Sequence, residues 1–383
     1  MIHTDVVEAA APPIRYARSG SDDVAWTERG TGAPLLLGGW WMSHLERDAH
    51  YPPLRSFLAT LENRRRVIRM DAPGSGLSRS RRETPAGLGP HADALLAVLD
   101  AAGPPQVTLL AGSSGCPIAV AFAARHPDRV RRLILCGSYL HGDAIASAAD
   151  RAALVDLVRR SWGVSSRVMA EIFYPDATPE EQRAFLQHQR ATGTAAAAAA
   201  ALAAVYSFDA RDDAAAVSAP TLVLHRRGDR AIPLALGAET ADAIPHARLE
   251  VLDGTAHHPW HGDSAAIIRH ALAFDGDDAG DPADAVDASP TASLPSPLTE
   301  REREILLLVA RGMTDAQIAD RLFLSIHTVH RHVANARAKL GAPPVPPRRP
   351  GSSRGGCERI RALAREGATV LDGARGPGDR LGR

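Results

Sequence analysis

Between residues 14 and 274 short β-rich apolar runs alternate with stretches of helical composition, and this restricts the fold more than any other feature. The runs are 34–37, 67–70, 107–110, 133–136, 221–225 and 249–252. Strands separated by helix-length connections lie parallel, with the helices laid over the sheet. The expected fold is therefore α/β with a mostly parallel sheet. Between residues 144 and 216 the runs stop and helical, alanine-rich sequence takes over. The tract at 195–201 is strong helix material. This span reads as a helical lid inserted over the sheet, against a plain surface helix bundle as the alternative.

Residues 275–297 are acidic and rich in Pro, Ala, Asp and Ser, with few large apolar side chains. Such a segment cannot bury enough surface to fold, so it reads as a linker. The chain then divides into a large domain at 14–274, the linker at 275–297, a small segment at 298–342, and a tail at 343–383. In the Pro-, Arg- and Gly-rich tail only 357–366 has helical character. Lysine plus arginine and aspartate plus glutamate each number 44, so any basic surface must be local. Lys339 is the only lysine. Cys116, Cys136 and Cys357 are too few and too scattered for a disulfide framework or a zinc site, and no cofactor is called for. The N-terminus lacks a charged start followed by an apolar run, and no apolar stretch could span a bilayer. A cytoplasmic protein with no signal peptide and no membrane partner is the expectation.

In the small segment, Thr299 followed by Glu302 forms a capping box: the hydroxyl takes an orphan amide and the carboxylate reaches back. Ile305, Leu308 and Val309 supply the buried stripe of the helix it opens, and Gly312 ends that helix. Ile318, Ala319 and Leu322 give a short second helix one apolar face. Ser325 caps a third, on which Val329, Val333, Ala336 and Leu340 form the inward stripe. Leu298-Thr-Glu-Arg-Glu-Arg-Glu-Ile305, Ala316-Gln-Ile-Ala319, Ser325-Ile-His-Thr-Val-His-Arg-His332 and Lys339-Leu340-Gly341 occur in that order. Together they resemble the helix-turn-helix domain of LuxR-type transcription regulators. The resemblance implies double-stranded DNA as partner, with the third helix in the major groove. Arg331 and Asn335 would then reach base edges, beside His327 and His330, while Thr328, His332 and Lys339 hold phosphates. Domains of this type usually finish with a fourth helix that supports a homodimer. The Pro-rich stretch 343–350 stands where it should start, and 357–366 reads as a displaced substitute.

In the large domain, Val107-Thr-Leu-Leu-Ala-Gly-Ser-Ser-Gly-Cys-Pro-Ile-Ala-Val-Ala-Phe-Ala-Ala124 reads as strand, sharp turn and helix, the setting of a nucleophile elbow. The turn needs small residues two before and two after its nucleophile. Both Ser113, between Ala111 and Gly115, and Ser114, between Gly112 and Cys116, nearly satisfy that. Arg125-His-Pro-Asp-Arg-Val130, Asp71-Ala-Pro-Gly-Ser-Gly-Leu-Ser78, Arg226-Arg-Gly-Asp-Arg-Ala-Ile-Pro233 and Asp253-Gly-Thr-Ala-His257 follow the family pattern of α/β-hydrolases. The large domain is thus similar to that family across roughly 14–274.

The resemblance selects Ser113, because the end of the following helix stands at the family's distance from its serine. It implies Asp229 and His257 as partners in the order Ser, Asp, His. His257 fits better than His258 because Gly254 precedes it at the usual distance. One oxyanion donor would be the amide of Ser114. The other would be that of Trp40 or Trp41, although these tryptophans also read as an aromatic pair covering the core. Taken together, the expectation is a regulator whose hydrolase-like domain senses, and can hydrolyse, a small acyl or ester ligand. The alternative is a serine hydrolase with a vestigial or localising DNA-binding segment.

Overall fold

The computed structural model describes residues 12–80, 85, 87–276, 305, 314–322 and 329. The chain divides into two units between Asp281 and Pro282. The first holds an eight-stranded sheet built from β1 (Arg15–Ser19), β2 (Asp22–Arg29), β3 (Pro34–Leu37), β4 (Arg66–Met70), β5 (Val107–Gly112), β6 (Val130–Cys136), β7 (Thr221–Arg226) and β8 (Ala247–Leu252). The strand order is β1-β2-β4-β3-β5-β6-β7-β8, antiparallel at β1–β2 and β2–β4 and parallel from β4 onwards. All six apolar runs are strands of this sheet. The β1–β2 hairpin lies outside the sequence expectation. Its turn passes through Gly20 at φ 59°, with Ser19 opposite Asp22.

Side chains alternate across a strand, and here that period sorts them into two cores. Leu36, Leu109, Leu133 and Val223 pack on one face against α3 (Gly89–Ala102) and α4 (Gly115–Arg125). Leu35, Leu37, Leu110, Ile134, Leu222 and Leu224 pack on the other against α2 (Pro52–Glu62) and α11 (Ser264–Asp275). Short α1 (Leu45–Asp48) leads into α2, and α9 (Arg211–Ala214) and α10 (Leu234–Ala243) flank β7.

Between β6 and β7 stand four helices: α5 (Ala148–Arg160), α6 (Trp162–Phe173), α7 (Pro179–Thr192) and α8 (Ala195–Ser207). Each of α5, α7 and α8 opens on a hydroxyl cap, from Ser147, Thr178 and Thr194, and Thr178 forms a full capping box with Glu181. Val158, Met169, Phe173, Phe185, Ala198, Ala199 and Leu202 join the same core as Leu37 and Ile134. The insertion therefore lies on the sheet as a lid.

α11 ends at Asp275, and Gly276 turns the chain at φ 90°. The Asp275 carboxylate is fully buried. It meets Arg65 at 2.6 Å and Arg131 at 2.5 Å and accepts the Thr108 hydroxyl. All three partners stand at the starts of β4, β5 and β6, the sheet edge opposite Ser113.

In the second unit Ile305, Ile318, Ala319 and Val329 form a buried cluster, with Leu322 partly buried against it. Helix Asp315–Leu322 begins with a reciprocal cap. Gln317 N–H donates to Thr314 Oγ1 at 3.3 Å, and Thr314 N–H donates to Gln317 Oε1 at 2.9 Å. The Thr299–Glu302 cap, Leu308, Val309, and the groove-side residues His327, Thr328, His330, Arg331, His332, Asn335 and Lys339 lie outside the described residues. Among the described residues no helix is long and apolar enough to cross a membrane.

Candidate active site

β5 is buried along its whole length and hands over to a turn in which Ser113 takes φ 53°, before α4 starts at Gly115. A left-handed serine costs on the order of 1 kcal/mol, so the surroundings must fix it. Ser113 N–H donates to Cys136 O at 2.9 Å and Cys116 N–H donates to Ser113 O at 2.9 Å. The turn leaves Ser113 half-buried in a cavity wall and folds Ser114 inside. Gly38 and Gly39 follow β3 and press on this turn. Gly38 N–H donates to Leu110 O at 2.8 Å, and Gly112 N–H donates to Gly39 O at 3.3 Å. A Cβ on residue 115 would stand 2.3 Å from Gly39 O, so here the two backbones touch.

Trp40 and Trp41 take different places. The Trp40 ring is buried edge-on to Trp260 at 4.5 Å. The Trp41 ring lines the cavity and meets Trp162 and Phe173 from the lid at 6.1 and 5.9 Å. No backbone acceptor among the described residues takes the amides of Ser114, Trp40 or Trp41.

Asp229 follows β7 and is buried. Its Oδ1 accepts from the amides of Ala231 and Ile232 at 2.9 and 3.1 Å, and its Oδ2 faces His257 Nδ1 at 2.8 Å. Burial opposes its charge. The attraction and hydrogen bond of His257, with the Ile232 amide and His225, outweigh burial and hold the carboxyl below its ordinary range. A carboxylate at Nδ1 keeps the proton on that nitrogen and leaves Nε2 as the free base. His257 Nε2 is buried and has no hydrogen-bond partner among the described residues, the Ser113 hydroxyl included. In unliganded sites such bonds are commonly loose and close on the substrate.

The structure thus joins Asp229 to His257 directly and sets Ser113 and His257 in the walls of one cavity of about 150 Å³. The remaining wall is apolar apart from Tyr206 and Arg230, and comes largely from the lid through Leu154, Met169, Ile172, Phe173, Leu202 and Val205. A larger cavity of about 430 Å³, lined by Arg29, Arg47, Arg55, Glu46 and Glu62, shares no residue with it.

Three residues that sequence reasoning passed over shape the site. Phe173 accepts the His257 amide on its carbonyl at 2.7 Å and lays its ring over the imidazole at 5.4 Å. Gly137, at φ 59°, leaves room for the pair: a Cβ there would stand 3.2 Å from the imidazole and 3.3 Å from Asp229 Oδ2. Arg226 reaches from β7 into the loop that carries His257. His258, the competing histidine, is buried and stacked on Trp260 at 4.6 Å.

Residues 35–261 match the family model for the alpha/beta hydrolase fold, and residues 296–344 match that of bacterial regulatory proteins of the luxR family. A 2-hydroxymuconate semialdehyde hydrolase of Pseudomonas putida is 31% identical over 224 residues, 55% of this chain and 74% of that enzyme. The DNA-binding transcriptional activator DevR/DosR of Mycobacterium tuberculosis is 50% identical over 46 residues, 12% of this chain and 21% of the activator. A solved hydrolase of Pseudomonas aeruginosa shares the fold, with a TM-score of 0.59 at 24% identity, covering 70% of this chain and 100% of that one.

Proposed function

We propose a function for a chain that belongs to the α/β-hydrolase fold family and carries a LuxR-family regulatory domain behind it. It is a transcription regulator whose large domain senses a small acyl compound in the Ser113 cavity, and hydrolysis is the chemistry that cavity suits. The observation that carries this reading is His257, held by Asp229 at 2.8 Å with a bare Nε2, lining the same cavity as a serine on a strained turn.

In the proposed reaction His257 Nε2 takes the Ser113 hydroxyl proton as Oγ bonds to the acyl carbon. Asp229 steadies the imidazolium. The oxyanion is met by the amide of Ser114 and that of Trp40 or Trp41. The leaving group departs with the proton from His257, and water then releases the acid by the reverse sequence. The apolar wall suits a small apolar acyl chain. Arg230, the wall's one arginine, with no carboxylate in that wall, favours a neutral or anionic ligand over a cation.

Duplex DNA is the proposed partner of the second domain, through the third-helix residues Arg331 and Asn335, which puts the protein to work at the chromosome in the cytoplasm. A serine-directed fluorophosphonate should label the wild-type chain at Ser113 and leave Ser113→Ala unlabelled. A folded wild type that resists labelling would remove the hydrolytic step and leave sensing. The full chain should also retard duplex DNA in a salt-sensitive manner. If no duplex is bound even at low salt, the regulator reading fails and a hydrolase with a vestigial second domain takes its place.

A further inference from the structure

Arg226 is the last residue of β7 and is 4% exposed. It makes no ion pair with any described carboxylate. A buried cation without a counter-ion is unfavourable unless its donors are otherwise met. Here they are met by main-chain carbonyls of a single loop. Nη1 donates to Ala256 O at 2.7 Å and to His258 O at 2.8 Å. Nη2 donates to His261 O at 2.6 Å and more distantly to Asp263 O at 3.4 Å. The first two carbonyls belong to the residues on either side of His257. Asp229 hangs from the same strand end, three residues further on.

We infer that Arg226 is a positioning residue for His257: its planar fork ties the carbonyls of the two residues that flank the histidine to the end of β7, and so sets the imidazole in register with Asp229 and Ser113. The inference rests on the roles proposed above for Ser113 and His257. The lid holds the same loop from outside, through Phe173 O on the His257 amide and Asp176 Oδ2 accepting the Thr255 hydroxyl at 2.5 Å. Arg226 holds it from inside, from the end of β7. A lysine cannot replace it, because one ammonium on a flexible stem cannot reproduce a rigid fork that spans carbonyls five residues apart.

The test compares wild type with Arg226→Met, Arg226→Lys and Arg226→Ala in the full chain, by two readouts. One is the rate of fluorophosphonate labelling at Ser113. The other is the downfield proton resonance of His257 Nδ1–H, which needs no reaction at Ser113. Folded variants should label about 10- to 100-fold more slowly, the cost of a slightly misplaced base, and should lose or shift the resonance. Free guanidinium at non-denaturing concentration should partly restore Arg226→Ala, and ammonium should not. Labelling within twofold of wild type with an unchanged resonance overturns the inference. Loss of folding in every variant also overturns it, in favour of a purely structural arginine. Should wild type never label while the resonance still answers to Arg226, the clamp stands and the nucleophile assignment falls.

Discussion

Gly115→Ala tests whether the serine turn and the Gly38–Gly39 loop act as one rigid assembly. The added methyl would start 2.3 Å from Gly39 O and 2.9 Å from Gly38 O, and ordinary contact begins at 3.4 Å. Both obstacles are backbone, so no side chain can swing away. Either the turn or the loop must move by about 1 Å, a displacement that costs on the order of 100-fold in rate when it falls on catalytic groups. The strain should remove about 1–3 kcal/mol of stability, which is ~2–12 °C of melting temperature for a domain of this size. Gly163→Ala in α6 is the control, because its new methyl meets only Arg190 Nη2 at 3.7 Å. The assay is fluorophosphonate labelling rate with a thermal melt on the same samples. If Gly115→Ala melts and labels like Gly163→Ala, the close approach of the two backbones is not what shapes the site.

His258 and His261 are buried and the His188 side chain is mostly covered, and burial, first among the causes, holds His188 down to about 4, His261 to about 3 and His258 well below its ordinary value. Their folded values lie below the unfolded one, so the stability they allow is present above about pH 6.5 and is lost as pH falls toward 4. His188→Phe, which keeps a ring on Tyr51, should lose about 2 kcal/mol less than wild type between about pH 7.5 and about pH 5 in urea melts, and equal losses would refute this. Asp275→Ala leaves Arg65 and Arg131 facing a vacated buried site and should cost about 3–5 kcal/mol by denaturant titration; a loss under about 1 kcal/mol would mean water replaces the carboxylate. In the second domain, Arg331→Ala should blur sequence preference by about 1–3 kcal/mol, whereas Lys339→Ala should weaken all duplexes alike and flatten the salt dependence in mobility-shift titrations.

The central strands were legible because both of their faces are buried. Val107 to Gly112 is buried at every position, so its apolar run is continuous. The β1–β2 hairpin escaped because only Ala17 in β1 and Val24 to Thr27 in β2 are buried, and Arg15, Arg18, Asp22, Asp23 and Glu28 surround them. An edge hairpin with a charged outer row has no apolar period to detect. Within the site, Asp229 and His257 were legible because each follows a strand in a local pattern. Phe173, Gly137 and Arg226 were not, because each acts on His257 from a distant part of the chain, and one-dimensional spacing does not encode that meeting. Trp40 and Trp41 show the same limit: two adjacent tryptophans read alike, and only the packed structure sends one ring to the core and the other to the cavity.

α11 starts directly after the loop gripped by Arg226, with Asp263 capping it through the Ala266 amide at 2.9 Å, and stops at the buried Asp275. One helix, roughly 18 Å long, therefore runs from the loop that carries His257 to Asp275. Its far tip is bolted by two guanidinium groups, so α11 cannot shift along its axis without breaking the Arg65 and Arg131 contacts to Asp275.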